Sequence, residues 1–369
     1  METEEQRRLR RRKRLAEMKR QKRRAEFLYK RVIPAACLAV LLLGVAGVSF
    51  RIKNGSDGPH KGQVAKQEQM QLPQRKVILS KGGRRGDVTQ SGGEPIPTIY
   101  EAHSTSVTQS FGENIGCKYG IFIDLEDGTI LAQKDAKVRM NPASMTKILT
   151  ILVAAEHVKE EQLTDMVPIT LEITDYCYIN ECSVAGFERD ESVPVKDLFY
   201  GTVLPSGADA ALALAIYVAG SQEAFVELMN EKLEELGLSE TTHFTNCVGL
   251  YDENHYSTAY DMAMILKAAA DNEFCRELLT AHTYNTTHTG QHPDGLVISN
   301  WFLRRIEDRD THGEVLCGKT GYVAKAGSCA ASLGADKDGR EYICVTAGSS
   351  GTRKCLDDQV ALYQMNLPE

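Results

Sequence analysis

Ser144 and Lys147 are the two residues of this sequence whose types and spacing most clearly suggest chemistry. They stand three residues apart in Asn141-Pro-Ala-Ser-Met-Thr-Lys-Ile-Leu-Thr150. On a helix this spacing places both side chains on one face, so the amine can reach the hydroxyl. A lysine can take the serine proton if its pKa falls from roughly 10.4 towards ~7–8. The pair therefore predicts a nucleophilic serine with a lysine base.

A buried helix is expected to hold this pair. Pro142 fixes φ and removes a donor where the helix should begin. The residues that follow leave almost no polar face, and a helix that is apolar on all sides is a buried one. Burial and the positive field of the first helical turn would both lower the pKa of the amine. The apolar residues are Met145, Ile148, Leu149, Ile151, Leu152 and Val153.

Two later motifs support the catalytic interpretation of the Ser144–Lys147 pair. Ser-x-x-Lys alone is weak, because a chain of 369 residues should contain it about once by chance. Pro205-Ser206-Gly207 and Lys319-Thr320-Gly321 follow it. Ser-x-x-Lys, a serine-containing triplet and Lys-Thr-Gly in this order make up the signature of the penicillin-recognising serine enzymes.

Charge is distributed unevenly along the chain. Residues 1–31 carry 14 Lys and Arg against 5 Asp and Glu, whereas residues 113–369 carry 20 against 40. The main domain is therefore acidic, which argues against nucleic acid as its partner.

The N-terminal part predicts a membrane anchor. Residues 32–50 form an uncharged, apolar run of 19 residues between Arg31 and Arg51, close to the ~20 that a spanning helix needs. The basic segment 1–31 predicts a cytoplasmic N-terminus, a single span and an extracytoplasmic remainder. A signal peptide cleaved near Gly44-Val45-Ala46 is the alternative. Residues 51–114 are polar and contain Gly-Gly pairs, which predicts a flexible extracytoplasmic stalk.

The remaining residues, 115–369, predict one folded domain. Asp127-Gly128 between two apolar runs predicts a hairpin, and 336–339 predicts a second one near the C-terminus. Helical patterns fill the middle, at about 207–219, 222–236 and from Thr258, where Asp261 three residues on suggests a capping box. A final helix is expected at 357–366. Strands, then helices, then strands indicate one antiparallel sheet with a helical region inserted.

Seven segments together closely resemble the serine D-alanyl-D-alanine carboxypeptidases, which are low-molecular-mass penicillin-binding proteins of peptidase family S11. The resemblance covers about residues 115–365. It implies an α/β (α+β) fold of the DD-peptidase/β-lactamase type, with a five-stranded antiparallel sheet flanked by helices and an inserted helical subdomain. The segments are the run around Ser144, Leu204–Ala211, Phe225–Asn230, Glu235–Gly237, Thr242–Asn246, Asn254–Thr258 and Gly318–Tyr322.

The resemblance also implies roles for individual residues. Ser144 would be the acylated nucleophile, Lys147 its base, and Ser206 a proton relay to the leaving D-alanine. Lys319 and Thr320 would hold the terminal carboxylate of the substrate. Gly321 would allow close approach of the backbone, and the N–H groups of Ser144 and Tyr322 would form the oxyanion hole. No metal or cofactor is implied.

One position departs from the family pattern. Family members usually carry asparagine two residues after the middle serine, and here that residue is Ala208. The missing carboxamide would normally touch the active lysine and the substrate amide. Asp209 is adjacent but should point elsewhere on a helix, so it is not expected to replace the asparagine.

Other candidate residues rank below these. His243 and His255 stand in family-like segments and are expected to pack or form hydrogen bonds, whereas the remaining histidines, such as His288 and His292, lie in polar stretches, and no pair has metal-ligand spacing. Nine cysteines lie after the apolar run, an odd number that cannot pair completely within one chain. Cys177 and Cys182 are the local pair that could form a disulfide.

The sequence thus predicts a hydrolase that removes the terminal D-alanine from peptidoglycan stem peptides through an acyl-enzyme and is acylated by β-lactams. A β-lactamase of the same fold is the first alternative, although it would need a second carboxylate to activate water. The second alternative is a cell-wall-binding protein whose active site has decayed at Ala208.

Overall fold

The computed structural model describes residues 100–368. In chain order the strands are β1 His103–Ser110, β2 Tyr119–Asp124, β3 Thr129–Lys134, β4 Met166–Pro168, β5 Ser192–Pro194, β6 Thr283–Asn285, β7 Val297–Ser299, β8 Glu314–Val323, β9 Gly327–Ala335 and β10 Glu341–Ser349. The helices are α1 Lys147–His157, α2 Leu171–Ile179, α3 Val195–Val203, α4 Ala208–Ala219, α5 Gln222–Glu235, α6 Ala259–Asp271, α7 Glu273–Thr280, α8 Leu303–Ile306 and α9 Thr352–Asn366.

A six-stranded sheet with strand order β1-β3-β2-β10-β9-β8 forms the centre of the fold. The predicted α/β class with an inserted helical region is confirmed, because the helices α1 to α8 all lie between β3 and β8 in sequence. The β2–β3 and β9–β10 hairpins turn where the sequence predicted. The sheet order leaves β8, which carries Lys319, as an edge strand.

The prediction of five antiparallel strands was wrong by one strand. β1 is a sixth strand that pairs parallel with β3, so the sheet is mixed. It also lies upstream of the predicted domain start at residue 115, so the stalk assignment was wrong over residues 103–110. The sequence HSTSVTQS is polar and almost entirely exposed, so no apolar alternation marked it as a strand.

The core lies on both faces of the sheet. On one face α9 packs against β10 and β9, where Tyr363 meets Phe122 edge to face with ring centroids 5.2 Å apart. On the other face α6 covers β2, β9 and β10, and α1 packs behind it against α4. As predicted, α1 is apolar all round, and every residue from Lys147 to Ala154 is buried.

The local capping signal at Thr258 predicted the start of α6 correctly. The Thr258 hydroxyl accepts a hydrogen bond from the backbone N–H of Asp261 at 2.9 Å and so caps α6. The Asp261 carboxylate instead accepts from Thr241 and Thr242. The last helix, α9, begins at Thr352, earlier than the predicted start at residue 357.

Within residues 100–368, no single helix is both long enough and apolar enough to cross a bilayer. The predicted basic tail at 1–31, the anchor at 32–50 and most of the 51–114 stalk lie outside the described residues. None of the nine cysteines of the described part forms a disulfide, and all but Cys182 are buried.

Removing core volume from α4 should destabilise the protein. Leu214 is fully buried, whereas Ile216 on the same helix is 37% exposed. We expect Leu214→Ala to lower the free energy of unfolding by about 2–5 kcal/mol, because the cavity it leaves cannot close completely. Urea unfolding of the full-length protein followed by circular dichroism measures this. The matched variant Ile216→Ala should lose less than about 1 kcal/mol, and equal losses would contradict the described packing.

Candidate active site

Ser144 lies in a tight turn directly before α1. The turn is a short 3₁₀ helix, Ala143–Thr146, preceded by Pro142. Ser144 is partly exposed while its neighbours Ala143 and Met145 are buried. Ala143 has a positive φ of 47°, a conformation that costs a residue with a Cβ roughly 1–2 kcal/mol. The backbone is therefore held in a strained shape that presents only the serine to solvent.

The Lys147 amine contacts the Ser144 hydroxyl. Its Nζ atom lies 3.1 Å from Ser144 Oγ and donates to the Val248 carbonyl oxygen at 2.7 Å. Lys147 is 2% exposed. Burial lowers the pKa of Lys147 to about 8, against the opposing influence of Cys182, Cys247, Cys177 and Asp209. A substantial fraction of the amine is thus neutral near physiological pH, and a neutral amine has a lone pair that can accept the serine proton.

Ser206 and Lys319 form a second pair beside the first. Lys319 Nζ donates to Ser206 Oγ and to the Thr320 carbonyl oxygen, both at 2.8 Å. Lys319 is 3% exposed, and burial together with the charge of Lys147 lowers its pKa well below the usual value. Ser206 precedes α4 in a left-handed conformation, with φ of 61°. Two amines and two hydroxyls from three separate parts of the sequence therefore meet in one place.

β8 passes directly against the turn Ala143–Thr146, which we call the nucleophile turn because it carries Ser144. A Cβ atom on Gly321 would lie 2.8 Å from the Ser144 backbone nitrogen and 2.9 Å from the Ala143 Cβ. Only glycine permits this approach. Thr320 is half-buried and Tyr322 is 62% exposed. β8 is an edge strand that runs past Ser144, and on it the Gly318 carbonyl accepts from Asn300 and the Thr320 carbonyl from Lys319.

Ala208 is the buried first residue of α4, and its methyl group offers no hydrogen bond. The Asp209 carboxylate faces away from the site, because it accepts the backbone N–H groups of Ala185 at 2.7 Å and Gly186 at 3.1 Å. The neighbourhood instead contains thiols. Cys182 N donates to the Cys177 carbonyl oxygen at 2.9 Å, and the two thiol groups hydrogen-bond to each other rather than form a disulfide.

Sequence reasoning missed the loop that holds the lysine. The Asn246 Oδ1 atom accepts the backbone N–H groups of Val248, Gly249 and Leu250 at 3.2, 2.7 and 2.9 Å. This clamp turns the Val248 carbonyl towards Lys147 Nζ. Asn246 stands in one of the family-like segments, but only the fold shows that its partners are three consecutive amides.

A metal centre is not evident within residues 100–368, since no group of three or more His, Cys, Asp or Glu side chains there could hold an ion. His255 is buried and hydrogen-bonded, and the exposed His243 ring hydrogen-bonds to the Asn254 carbonyl oxygen at 2.8 Å, as expected for both. His292 pairs with the buried Glu191 at 2.9 Å, on a different part of the fold.

Comparison with known sequences agrees with this site. The chain is 33% identical over 243 residues to the D-alanyl-D-alanine carboxypeptidase DacF of Bacillus subtilis, covering 63% of this chain and 57% of that protein. It is 38% identical over 176 residues to DacC of Escherichia coli, covering 47% of this chain and 43% of that protein. The chain thus spans about half the length of the curated relatives it matches.

Comparison with solved structures gives the same fold. The Streptomyces K15 DD-transpeptidase superposes with a TM-score of 0.60 at 26% identity, covering 69% of this chain and 98% of that one. Penicillin binding protein 5 from Haemophilus influenzae gives a TM-score of 0.58 at 26% identity, covering 69% of this chain and 70% of that one.

The family model for D-alanyl-D-alanine carboxypeptidases, peptidase family S11, matches residues 103–351. The match covers well over half of the chain and includes both pairs of site residues, Ser144 with Lys147 and Ser206 with Lys319. The chain therefore belongs to the D-alanyl-D-alanine carboxypeptidase family.

Proposed function

We propose that this protein removes the C-terminal D-alanine from peptidoglycan stem peptides through an acyl-enzyme on Ser144. The observation that carries the proposal is the contact of 3.1 Å between Ser144 Oγ and the buried Lys147 amine, whose pKa falls to about 8. The Lys319 amine lies on the adjacent edge strand and suits a substrate that ends in a carboxylate, whose charge would favour the ammonium form of the lysine.

Acylation follows from this geometry. Neutral Lys147 takes the Ser144 proton while Oγ attacks the carbonyl carbon of the penultimate D-alanine. The negative charge that develops on the carbonyl oxygen would be held by the backbone N–H groups of Ser144 and Tyr322, and the close approach of Gly321 to the Ser144 nitrogen supports this assignment. One such donor typically contributes ~10²–10³ in rate.

Release of D-alanine uses the second pair. The terminal carboxylate binds Lys319 and Thr320, and the leaving nitrogen receives a proton through Ser206, which already accepts a hydrogen bond from Lys319 at 2.8 Å. Water then hydrolyses the ester on Ser144 and regenerates the enzyme. Because Ala208 offers no carboxamide, the substrate amide is positioned mainly by the edge of β8.

β-Lactams should acylate the same serine, because they mimic the acylated dipeptide. The β-lactamase alternative needs a carboxylate beside Ser144, and within residues 100–368 no carboxylate hydrogen-bonds to Ser144 or Lys147. Glu227 is exposed on α5, and Asn230 is occupied by the backbone of Phe244. The decayed-site alternative would not require the contacts of Lys147 and Lys319 described above.

The cellular setting is part of the same proposal. The uncharged run at 32–50 and the basic residues before it support a single-pass membrane anchor with a cytoplasmic N-terminus and an extracytoplasmic catalytic domain. The negative net charge of the main domain argues against nucleic acid as a partner of this protein.

Ser144 should be the residue that reacts with penicillin. We expect the purified full-length protein to be labelled by a fluorescent penicillin and to release D-alanine from an acylated L-Lys-D-Ala-D-Ala peptide, and Ser144→Ala to do neither, because the nucleophile is missing. Ser192→Ala is the matched control, since Ser192 is exposed in β5. Labelling of the Ser144→Ala protein would sink the proposal, and rapid nitrocefin turnover would favour a β-lactamase.

The acylation rate should follow the protonation of Lys147. Burial lowers the pKa of Lys147 to about 8, and only the neutral amine is a base. We therefore expect the second-order rate of penicillin acylation to rise with pH below about 8 and to level off above it. Arginine keeps the positive charge and does not lose its proton at these pH values, so it cannot act as a base. Lys147→Arg should therefore lower the rate by ~10²–10⁴. A rate that falls as pH rises from 6 to 8 would contradict the assignment.

Recognition of the carboxylate should depend on Lys319. A charge-assisted hydrogen bond contributes about 1.5–3 kcal/mol, so Lys319→Gln should reduce the preference for a carboxylate-terminated over an amide-terminated peptide by about 10- to 100-fold. Values of kcat/KM for both peptides measure this ratio. Lys325→Gln is the control, because Lys325 is exposed in the β8–β9 turn. An unchanged ratio in Lys319→Gln would place the carboxylate elsewhere.

A further inference from the structure

His255 is a buried histidine outside the catalytic set, at 1% exposure. Its Nδ1 atom lies 3.1 Å from the backbone nitrogen of Thr245. A backbone N–H can only donate, so Nδ1 must accept and the ring proton must sit on Nε2. Burial lowers the pKa of His255 to about 3, which keeps the ring neutral at physiological pH. The tautomer is thus determined by the fold.

The proton on Nε2 fixes which group donates in the next two hydrogen bonds, which lead to the nucleophile turn. His255 Nε2 lies 2.8 Å from Thr146 Oγ1, and Thr146 Oγ1 lies 2.8 Å from the Ala143 carbonyl oxygen. The carbonyl can only accept, so the Thr146 hydroxyl donates to it and accepts from His255. The three hydrogen bonds form one chain with a single direction, from the Thr245 amide to the Ala143 carbonyl.

That carbonyl belongs to the same peptide unit as the Ser144 N–H. A trans peptide is planar, so the C=O of Ala143 and the N–H of Ser144 point in opposite directions. Holding the carbonyl therefore aims the N–H, which is one of the two donors of the proposed oxyanion hole. The left-handed φ of Ala143 is intrinsically unfavourable, so contacts with neighbouring groups must hold this peptide in its native orientation.

Neighbouring groups hold the preceding Pro142–Ala143 peptide unit and the Ala143 carbonyl oxygen. The Asn141 side chain accepts the Ala143 N–H at 3.0 Å and donates to the His255 carbonyl oxygen at 2.8 Å. A Cβ on Gly249 would lie 2.0 Å from the Ala143 carbonyl oxygen, so the Asn246 loop presses directly against it.

We propose that His255, acting through the Thr146 hydroxyl, positions the Ala143–Ser144 peptide so that the Ser144 N–H points into the oxyanion hole. His255 and Thr146 are positioning residues, and neither touches the substrate. Their contribution therefore appears only when charge develops on the carbonyl oxygen, in the transition state. This inference rests on the proposed function.

The test compares Thr146→Val with the wild type in the full-length protein. Valine keeps the shape of threonine and removes the hydroxyl. We expect kcat and kcat/KM for the peptide to fall together by about 10- to 100-fold, with KM nearly unchanged, because a misaimed donor loses part of the ~10²–10³ that it contributes. Penicillin acylation should fall by a similar factor. The pH midpoint near 8 should stay, because Lys147 keeps its contact with Val248.

Four further variants separate positioning from general damage. Thr146→Ser restores the hydroxyl and should recover most of the rate. His255→Asn removes the donor to Thr146, and combining it with Thr146→Val should cost no more than the larger single effect, because both act through one chain. Thr242→Val is the matched control, since Thr242 is equally buried and bonds to Ser257 and Asp261 rather than to the nucleophile turn.

The outcomes distinguish this inference from the proposed function. If the wild type reacts and Thr146→Val, folded by circular dichroism, reacts equally fast, the positioning role is wrong while the proposed function stands. A rise in KM without a fall in kcat, or an equal loss in Thr242→Val, also overturns it. If Thr146→Val does not fold, His255→Asn carries the same comparison. A wild type that reacts with neither penicillin nor peptide overturns the proposed function and this inference with it.

Discussion

The site depends on keeping a lysine amine out of water while it touches a serine hydroxyl. Lys147 can act as a base only because α1 is buried along its whole first half, which makes the ammonium form unfavourable. A solvated lysine at the same spacing would remain charged and inert. The apolar helix therefore sets the protonation state of its own first residue, and packing determines the chemistry.

Burial of two amines side by side has a structural consequence. Lys147 and Lys319 repel each other, and each is satisfied by neutral oxygens rather than by a carboxylate: Val248 O for Lys147, and Ser206 Oγ with Thr320 O for Lys319. A permanent acidic partner would raise both pKa values and remove the base. In the proposed function, the carboxylate of the substrate would supply this negative charge.

The nucleophile turn shows how strain and close packing work together. Ala143 has a left-handed conformation, and backbone approaches at Gly249 and Gly321 flank the peptide that follows it. The strained backbone at Ala143 would relax if it were not held in place. The loop of residues 246–250, β8 and the start of α1 meet at this peptide and hold it in its native conformation. Rigid placement of this kind is what pre-organises an oxyanion hole.

Much of this arrangement could be read from the residues. The Ser144–Lys147 spacing, the apolar run of α1, the hairpin at Asp127-Gly128 and the order of the three motifs were enough to predict the fold class and the family, because these signals are local or sequential. The polar strand β1 escaped prediction, since an exposed edge strand shows no apolar alternation.

Only the tertiary structure decided what surrounds the catalytic groups. The Val248 carbonyl contacts Lys147 from 101 residues away in sequence, and the His255 ring contacts Thr146 from 109 residues away, so no spacing rule reveals these partners. The depth of burial of Lys147 and the direction of the His255 bonds likewise depend on how α1, β8 and the Asn246 loop pack. The sequence determined which reactive groups the protein has, whereas the packing determined their protonation and aim, because desolvation and orientation are properties of the assembled fold.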